Sequence, residues 1–248
     1  MDKLGANFTS CLKSIKERLN VDPVPINLPI GKEKTFSGIV DLVTLEQKVW
    51  NLKKAANGTV IDTEKLDLSH EDNSTEMVLQ ERTSLIGQLA EYDDVIASHV
   101  LNDVSVEDIP TEDIIKALRN MTLKNQNAVI VLCGSSKRNI GVQPLIDAVI
   151  NYLPCPSDIK HSFLDYYGDH LCALAFKIVH DKHRGALTYV RIYGGTMKSS
   201  ESIYNVNLKV HEKIGKQDLL QVNADHYSVV QEAGPGNIVC LSELKEVG

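Results

Sequence analysis

Two short stretches far apart in the chain carry groups suited to reading the edge of a purine. One is Asp2, followed by Lys3. The other is Gly134-Ser135-Ser136, directly after the apolar run Val129 to Leu132 and Cys133. A carboxylate such as that of Asp2 accepts two hydrogen bonds from the N1 and N2 edge of guanine. The N–H groups of a small turn donate to guanine O6. Together they select guanine over adenine, because the wrong edge leaves buried polar groups unpaired, a difference of order 10⁴-fold. Taken alone, an Asp at position 2 reads equally well as a frayed terminus, and Gly-Ser-Ser as an ordinary strand-to-helix turn.

Other chemistry is sparse. No G-x-x-x-x-G-K-[ST] occurs, so the chain holds no phosphate-cradling loop. Asp165-Tyr166-Tyr167-Gly168 fits D-x-x-G, but it falls in an expected linker, where chance accounts for so short a pattern. His180 and His183 read as a solvated turn between strands, not as metal ligands. Asn7, Asn57, Asn73 and Asn120 each open an N-x-[ST] triplet, a coincidence in a sequence with no secretory signal. The five cysteines form no C-x-x-C pair. Their odd number and irregular spacing point to reduced thiols inside a cell, with neither a disulfide framework nor a zinc site. No Ser/His/Asp or Cys/His set stands out, and no metal site is expected.

The elements that must position Asp2 and the Gly-Ser-Ser turn follow from periodicity. Val129 to Leu132 suits a strand buried on both faces of a parallel sheet. A helix follows the turn, with Leu145, Ile146, Val149, Ile150 and Leu153 at helical spacing and Pro154 as its stop. Ligands of open α/β sheets sit beyond the carboxyl ends of strands, where this turn lies. Asn7 to Leu19 is an amphipathic helix directly after Asp2, with Phe8, Cys11, Leu12, Ile15 and Leu19 on one face. Pro23 to Ile30 alternates, but three prolines make it an edge strand or none. Phe36 to Val43 and Gln47 to Trp50 read as short strands, with Gly38 marking a bulge. Asn51 to Asn73 reads as loop. Glu76 to Leu101 is expected to be one long helix with Leu85, Leu89, Ile96 and Val100 inward. A further helix starts at Pro110-Thr111, with Thr111 as N-cap. From Leu171 short apolar segments alternate with glycines (Leu171 to Val179, Leu187 to Tyr193, Ser202 to Asn205, Gly236 to Leu241), the pattern of a small barrel.

Bulk properties narrow the class. The chain has 248 residues, 43% hydrophobic and 24% charged, as in an ordinary globular protein, and no apolar run of membrane-spanning length. A net charge of −7 conceals an asymmetry: between Asp62 and Asp113 there are fifteen acids and two bases, leaving +6 on the remainder. The acidic block faces solvent or a basic partner, and the remainder suits nucleic acid.

Several blocks, in order, resemble the elongation factor G family of translational GTPases. Met1-Asp2-Lys3-Leu4-Gly5-Ala6-Asn7-Phe8 resembles the end of its N-K-M-D guanine box and the residues just after it. Pro25 to Gly31 and Phe36 to Asp41 resemble the start of its inserted subdomain. Cys133-Gly134-Ser135-Ser136 with Gly141-Val142-Gln143-Pro144-Leu145 resembles its last guanine box. Ala173 to Lys177 and Arg191 to Gly195 resemble its second-domain barrel. His180 to Gly185 and Phe163 to Tyr167 are more similar to the mitochondrial, ribosome-releasing branch, elongation factor G 2. The resemblance implies an α/β fold: the C-terminal part of a P-loop-type GTPase domain (1–19 and 126–156) with an inserted α+β subdomain (20–125). A linker (157–170) and a small β-barrel (171–248, incomplete) come next.

It further implies GTP or GDP with Mg as the cofactors of the whole protein. The ribosome is the implied partner, through rRNA and its stalk protein, together with a ribosome recycling factor. Neither membrane nor DNA is expected. The implied location is mitochondrial, although the chain holds no targeting segment. The implied task is GTP-dependent ribosome disassembly after termination. Translocation, or a non-catalytic ribosome-binding role, is the alternative. Asp2, Lys3, Ser135 and Ser136 map to a partial guanine site. Glu91, Asp93 and Asp94 map to the acidic helix that meets the stalk protein. The chain departs from the pattern in lacking the Asn-Lys half of the first box, the phosphate loop and the switch regions. Ser136 stands for a usual Ala, and Ile140 for a usual Lys. The sequence also stops before the barrel's closing segment. It is therefore read as an internal fragment or an incomplete gene product that does not hydrolyse GTP and binds no nucleotide tightly on its own.

Overall fold

The computed structural model describes residues 1–52, 57–68, 73–124, 127–159, 161–242 and 244, and the chain divides into two compact units, Met1–Pro154 and Cys155–Gly248. Two acids of the acidic block, Glu71 and Asp72, and the end of the expected barrel segment lie outside the described residues.

In the first unit α1 (Phe8–Leu19) is capped by Asn7, whose side-chain oxygen accepts from the Ser10 N–H at 2.9 Å. The run from Pro23 to Ile30 serves two sheets. β1 (Asp22–Pro25) pairs in parallel with β6 (Ala128–Val131), and β2 (Asn27–Ile30) is the edge of an antiparallel sheet. Ile26 lies between them, and Val24, Ile26 and Leu28 are all buried, as their alternation requires. The prolines fall on the phase that edge positions tolerate. The antiparallel sheet runs β2-β3-β4-β5, with β3 at Gly38–Asp41, β4 at Glu46–Trp50 and β5 at Ile61–Lys65. Gly38 marks no bulge, because β3 and β4 pair in unbroken register. The glycine is needed for a close approach: a Cβ there would lie 2.2 Å from the Lys48 carbonyl oxygen. β5 falls where a loop is expected. It has no apolar alternation and is mostly exposed, held by its backbone ladder to β4.

The expected long helix is two. α2 (Asn73–Ala90) ends before Glu91, and α3 (Asp94–Leu101) starts afresh with Asp93 as N-cap. The break turns Val100 outward, while Leu85, Leu89 and Ile96 stay buried. α4 (Thr111–Lys124) begins at Thr111 itself, so Thr111 is not the cap; its hydroxyl donates to the Val43 carbonyl at 3.4 Å. α5 (Val142–Tyr152) follows β6. One apolar core runs through the whole unit, from Leu28, Val40 and Leu42 past Leu85, Ile96, Ile114 and Leu118 to Ala128, Ala148 and Tyr152. The expected insert and the flanking α/β part thus share a core.

Two burial expectations fail in that α/β part. β6 is not covered on both faces, since Val129 is exposed in a sheet of two strands. On α5 the spaced residues Leu145, Ile146, Val149, Ile150 and Leu153 are exposed, Ile150 at 68%, and the helix instead packs through Ala148 and Tyr152.

The second unit opens with short turns at Pro156–Asp158 and Ser162–Tyr166. Its main sheet has the order β13-β12-β15-β8-β7. These strands are β7 (Cys172–Asp181), β8 (Gly185–Gly194), β12 (Leu219–Asn223), β13 (His226–Val229) and β15 (Ile238–Ser242). Two-stranded pieces, β9 (Met197–Lys198) with β14 (Glu232–Ala233) and β10 (Ser202–Asn205) with β11 (Val210–Lys213), complete it. No pairing joins β7 to β13 among the described residues, so the sheet does not close into the expected barrel. Val190, Ile192, Leu219, Val239 and Leu241 fill one face, and Leu187, Leu220 and Cys240 the other.

Candidate functional site

Asp2 and the Gly-Ser-Ser turn, 133 positions apart, are brought together. The Met1 amino nitrogen donates to the Gly134 carbonyl at 2.7 Å, and the Glu33 N–H donates to the Met1 carbonyl at 2.9 Å. The Gly5 N–H donates to the Glu33 carboxylate at 2.8 Å. The start of the chain is therefore held between the turn and the segment 31–35 that leads into β3. Below it lies a small apolar cluster of Phe36, Ile39, Trp50, Cys133 and Ile140, against which Met1 and Phe8 pack.

The turn itself is tight. The Ser135 N–H donates to the Ile140 carbonyl at 2.8 Å, and the Ile140 N–H returns to the Ser135 carbonyl at 3.1 Å. Between them Ser136–Arg138 makes one 3-10 turn, closed by Asn139 in the left-handed region at a φ of 55°. Among the described residues no backbone carbonyl accepts from the Ser136 N–H, which opens this turn as helix-start donors do.

Ser135 is 5% exposed, and its hydroxyl is the main reason that the Asp2 carboxyl lies below the ordinary carboxylate range. Burial opposes that effect, while the terminal ammonium and Lys3 add smaller favourable charge. Among the described residues the hydroxyl oxygen completes no hydrogen bond of full geometry, so the approach to Asp2 leaves it bonding capacity. Lys3 and Ser136 have exposed side chains. The groups that converge are thus one ionised carboxylate, one buried hydroxyl and one free backbone N–H. That is a donor–acceptor set for a planar polar edge. The thiol of Cys133, just before the turn, is buried and its pKa is pushed up to about 12, chiefly by burial.

Residues without a sequence signal shape this site. Asn27, buried on β2, accepts the Cys133 N–H on its side-chain oxygen at 2.8 Å and so fixes the strand just before the turn. Trp50 donates from Nε1 to the Gln143 side-chain oxygen at 3.3 Å. Their roles depend on neighbours remote in sequence, which local pattern does not record.

The acidic group on the insert is split by the broken helix. Glu91 and Asp94 are exposed. Asp93 is turned inward: its carboxylate accepts from the Val95 and Ile96 N–H groups at 3.0 and 3.3 Å and from the Asn120 amide at 2.9 Å. Burial raises its pKa, but these hydrogen bonds outweigh burial and hold it below the usual value. His180 and His183 flank a turn at whose centre Asp181 accepts the His183 and Arg184 N–H groups. Among the described residues no group of three or more His, Cys, Asp or Glu is placed to hold a metal.

Residues 170–248 match the family model described as elongation factor G domain 2. A crystal structure of a protein from Thermus thermophilus superposes with a TM-score of 0.73 over 97% of this chain and 33% of that one, at 20% identity, a likeness of fold.

Among curated relatives it is 41% identical over 249 residues to "Ribosome-releasing factor 2, mitochondrial" of Rattus norvegicus, covering 99% of this chain and 31% of that protein. It is 39% identical to the protein of the same name from Danio rerio, over 99% of this chain and 32% of the relative. The chain therefore spans about a third of the length of the curated relatives it matches.

Proposed function

We propose that this chain is a segment of a mitochondrial translational GTPase that promotes GTP-dependent ribosome disassembly and recycling after termination. The observation that carries the reading is the 41% identity, sustained along 99% of the chain, to a protein named for ribosome release in mitochondria. In this reading residues 1–19 and 126–156 are the guanine end of a P-loop-type GTPase domain, 20–125 its insert, and 171–248 the greater part of a second-domain barrel. Asp2 accepts from the guanine N1 and N2 groups, the Ser136 N–H meets O6, and Ser135 orients the carboxylate. Magnesium and the phosphates are held elsewhere in the whole protein, because no phosphate loop occurs in this sequence. The partners are the ribosome, through rRNA and the stalk protein, and a recycling factor. Glu91 and Asp94 are the exposed acids of the stalk contact, with Asp93 holding α3 in place behind them.

A competition assay tests the reading. The purified chain, added to mitochondrial ribosomes with an intact ribosome-releasing factor, recycling factor and GTP, is expected to slow subunit splitting followed by light scattering. It is expected to drive no splitting alone. Splitting rates unchanged at saturating chain would refute the reading.

A further inference from the structure

The triplet Asn57-Gly58-Thr59 looks like a modification signal in the sequence, yet in the fold it grips the guanine-type turn. Asn57 first shapes itself: its side-chain oxygen accepts from the Thr59 hydroxyl at 2.8 Å and the Thr59 N–H at 3.3 Å. Its carbonyl then accepts from the Asn139 side-chain amide at 2.8 Å. The next carbonyl, that of Gly58, accepts from the Gln143 amide at 2.9 Å, and Gln143 in turn accepts from the Trp50 indole N–H. Gly58 is pressed onto the turn. A Cβ there would lie 2.6 Å from the Asn139 Cβ and 3.0 Å from the Arg138 carbonyl, and its φ of +70° suits glycine. The insert therefore meets the turn through two side-chain hydrogen bonds and one close backbone contact. Both ends of the bonded pair, Asn139 and Gln143, flank Ile140, whose backbone closes the turn onto Ser135.

We infer that Asn57-Gly58, Asn139, Gln143 and Trp50 form a clamp by which the inserted subdomain positions the Ser135–Ser136 turn for base recognition. The inference rests on the guanine reading of Asp2 and the turn. Asn139 occupies the left-handed region, where the turn reverses, and the side-chain bond to Asn57 fixes that residue from outside. Within the turn, the Asn139 N–H donates to the Ser136 carbonyl at 3.1 Å, the Arg138 N–H donates to the Ser135 carbonyl at 3.0 Å, and the Ser135–Ile140 pair closes it; the bond to Asn57 adds a hold from a segment remote in sequence. Asn139, Gln143 and Gly58 are positioning residues; none touches the base.

The test uses the ¹⁵N-labelled chain titrated with guanosine and with adenosine at millimolar concentrations. Ser135, Ser136 and Ile140 amides and the indole N–H of Trp50, the sole tryptophan, are followed. In the unaltered chain guanosine is expected to move all four signals and adenosine none. Gly58→Ala, Asn139→Gly and Gln143→Glu each remove one grip; Asn139→Gly keeps the left-handed backbone free of strain, and Gln143→Glu keeps the acceptor for Trp50 while losing the donor to Gly58. In each, exchange of the Ser135 and Ile140 amides should rise and guanosine affinity fall by roughly three- to tenfold, the weight of one net hydrogen bond. The indole signal should no longer respond to guanosine. If the unaltered chain responds and the variants bind and exchange like it, the clamp is overturned while the guanine reading stands. If guanosine moves nothing even in the unaltered chain, the guanine reading falls and the clamp's role in recognition falls with it. Should Gly58→Ala fail to fold, the other two variants carry the same readouts.

Discussion

Arg82 is the buried group whose removal should cost the first unit most. It lies on α2 and is 1% exposed. Its guanidinium donates to the Val106 carbonyl at 2.7 Å, the Val43 carbonyl at 3.1 Å, the Ile109 carbonyl at 3.4 Å and the Leu42 carbonyl. It thereby ties the β3–β4 turn to the loop between α3 and α4. Burial lowers its pKa, and Asp41 and Glu107 partly restore it without contact. Replacing Arg82 by Met keeps the stem and takes the guanidinium donor from the Val106, Leu42 and Ile109 carbonyls, while the Val43 carbonyl keeps the Thr111 hydroxyl. At ~1–3 kcal/mol for each orphaned group the loss spans ~3–9 kcal/mol. Relief of the guanidinium's own desolvation brings this toward the ~3–5 kcal/mol typical of breaking buried charged sets. We take about 4 kcal/mol, a large part of the ~5–15 kcal/mol that holds a domain. Trp50, 3% exposed and the only tryptophan, lies in the first unit, so its fluorescence reports that unit's unfolding alone. With a urea slope of about 2 kcal/mol per molar, the midpoint should fall by about 2 M. Arg82→Lys, with a compact head that reaches fewer carbonyls, should fall about half as far. For Arg82→Met, a midpoint within ~0.3 M of the unaltered protein, less than ~1 kcal/mol at that slope, would refute this reasoning.

The Asp93 cap gives a pH dependence. Its carboxyl is depressed on folding, so the stability it adds is complete above the unfolded value of ~3.9 and is lost as pH falls through the lower folded value. Asp93→Asn should flatten the acid limb of a stability–pH curve, and an unchanged limb would contradict the cap. Two glycines should answer oppositely to alanine in urea titrations. Gly38→Ala meets backbone and should cost ~1–3 kcal/mol, whereas Gly87→Ala, exposed on α2 with open space around it, should gain ~0.5–1 kcal/mol. Glu91→Lys with Asp94→Lys should slow association with the stalk protein's globular domain at low salt, and the difference should fade as salt rises. Equal rates at low salt would leave that face as solvated surface. The chain is expected to show no GTPase activity and a GDP dissociation constant of roughly millimolar, since two or three hydrogen bonds supply only ~4 kcal/mol. Micromolar affinity by calorimetry would mean that contacts beyond Asp2 and the turn hold the nucleotide.

The sequence by itself determined the strongly patterned elements: α1, the buried phase Val24–Ile26–Leu28, the strand–turn–helix from Ala128 to Tyr152, and the long strands of the second unit. Each is written in local periodicity and turn chemistry, which neighbours in the chain settle among themselves. It also singled out Asp2 and Ser135, since a carboxylate and a small turn are legible as types. Only the tertiary structure decided the rest. The helix from residue 76 breaks because Asp93 finds both a capping role and Asn120, a partner 27 positions away. β5 is a strand because β4 offers it a ladder, although its side chains give no alternation. The apolar face of α5 stays exposed because burial depends on the surface packed opposite, which spacing does not record. Asn57-Gly58-Thr59 becomes a grip on Asn139 and Gln143 because hydrogen bonds across 82 and 85 positions are set by the packing of the whole unit, and no local pattern encodes them.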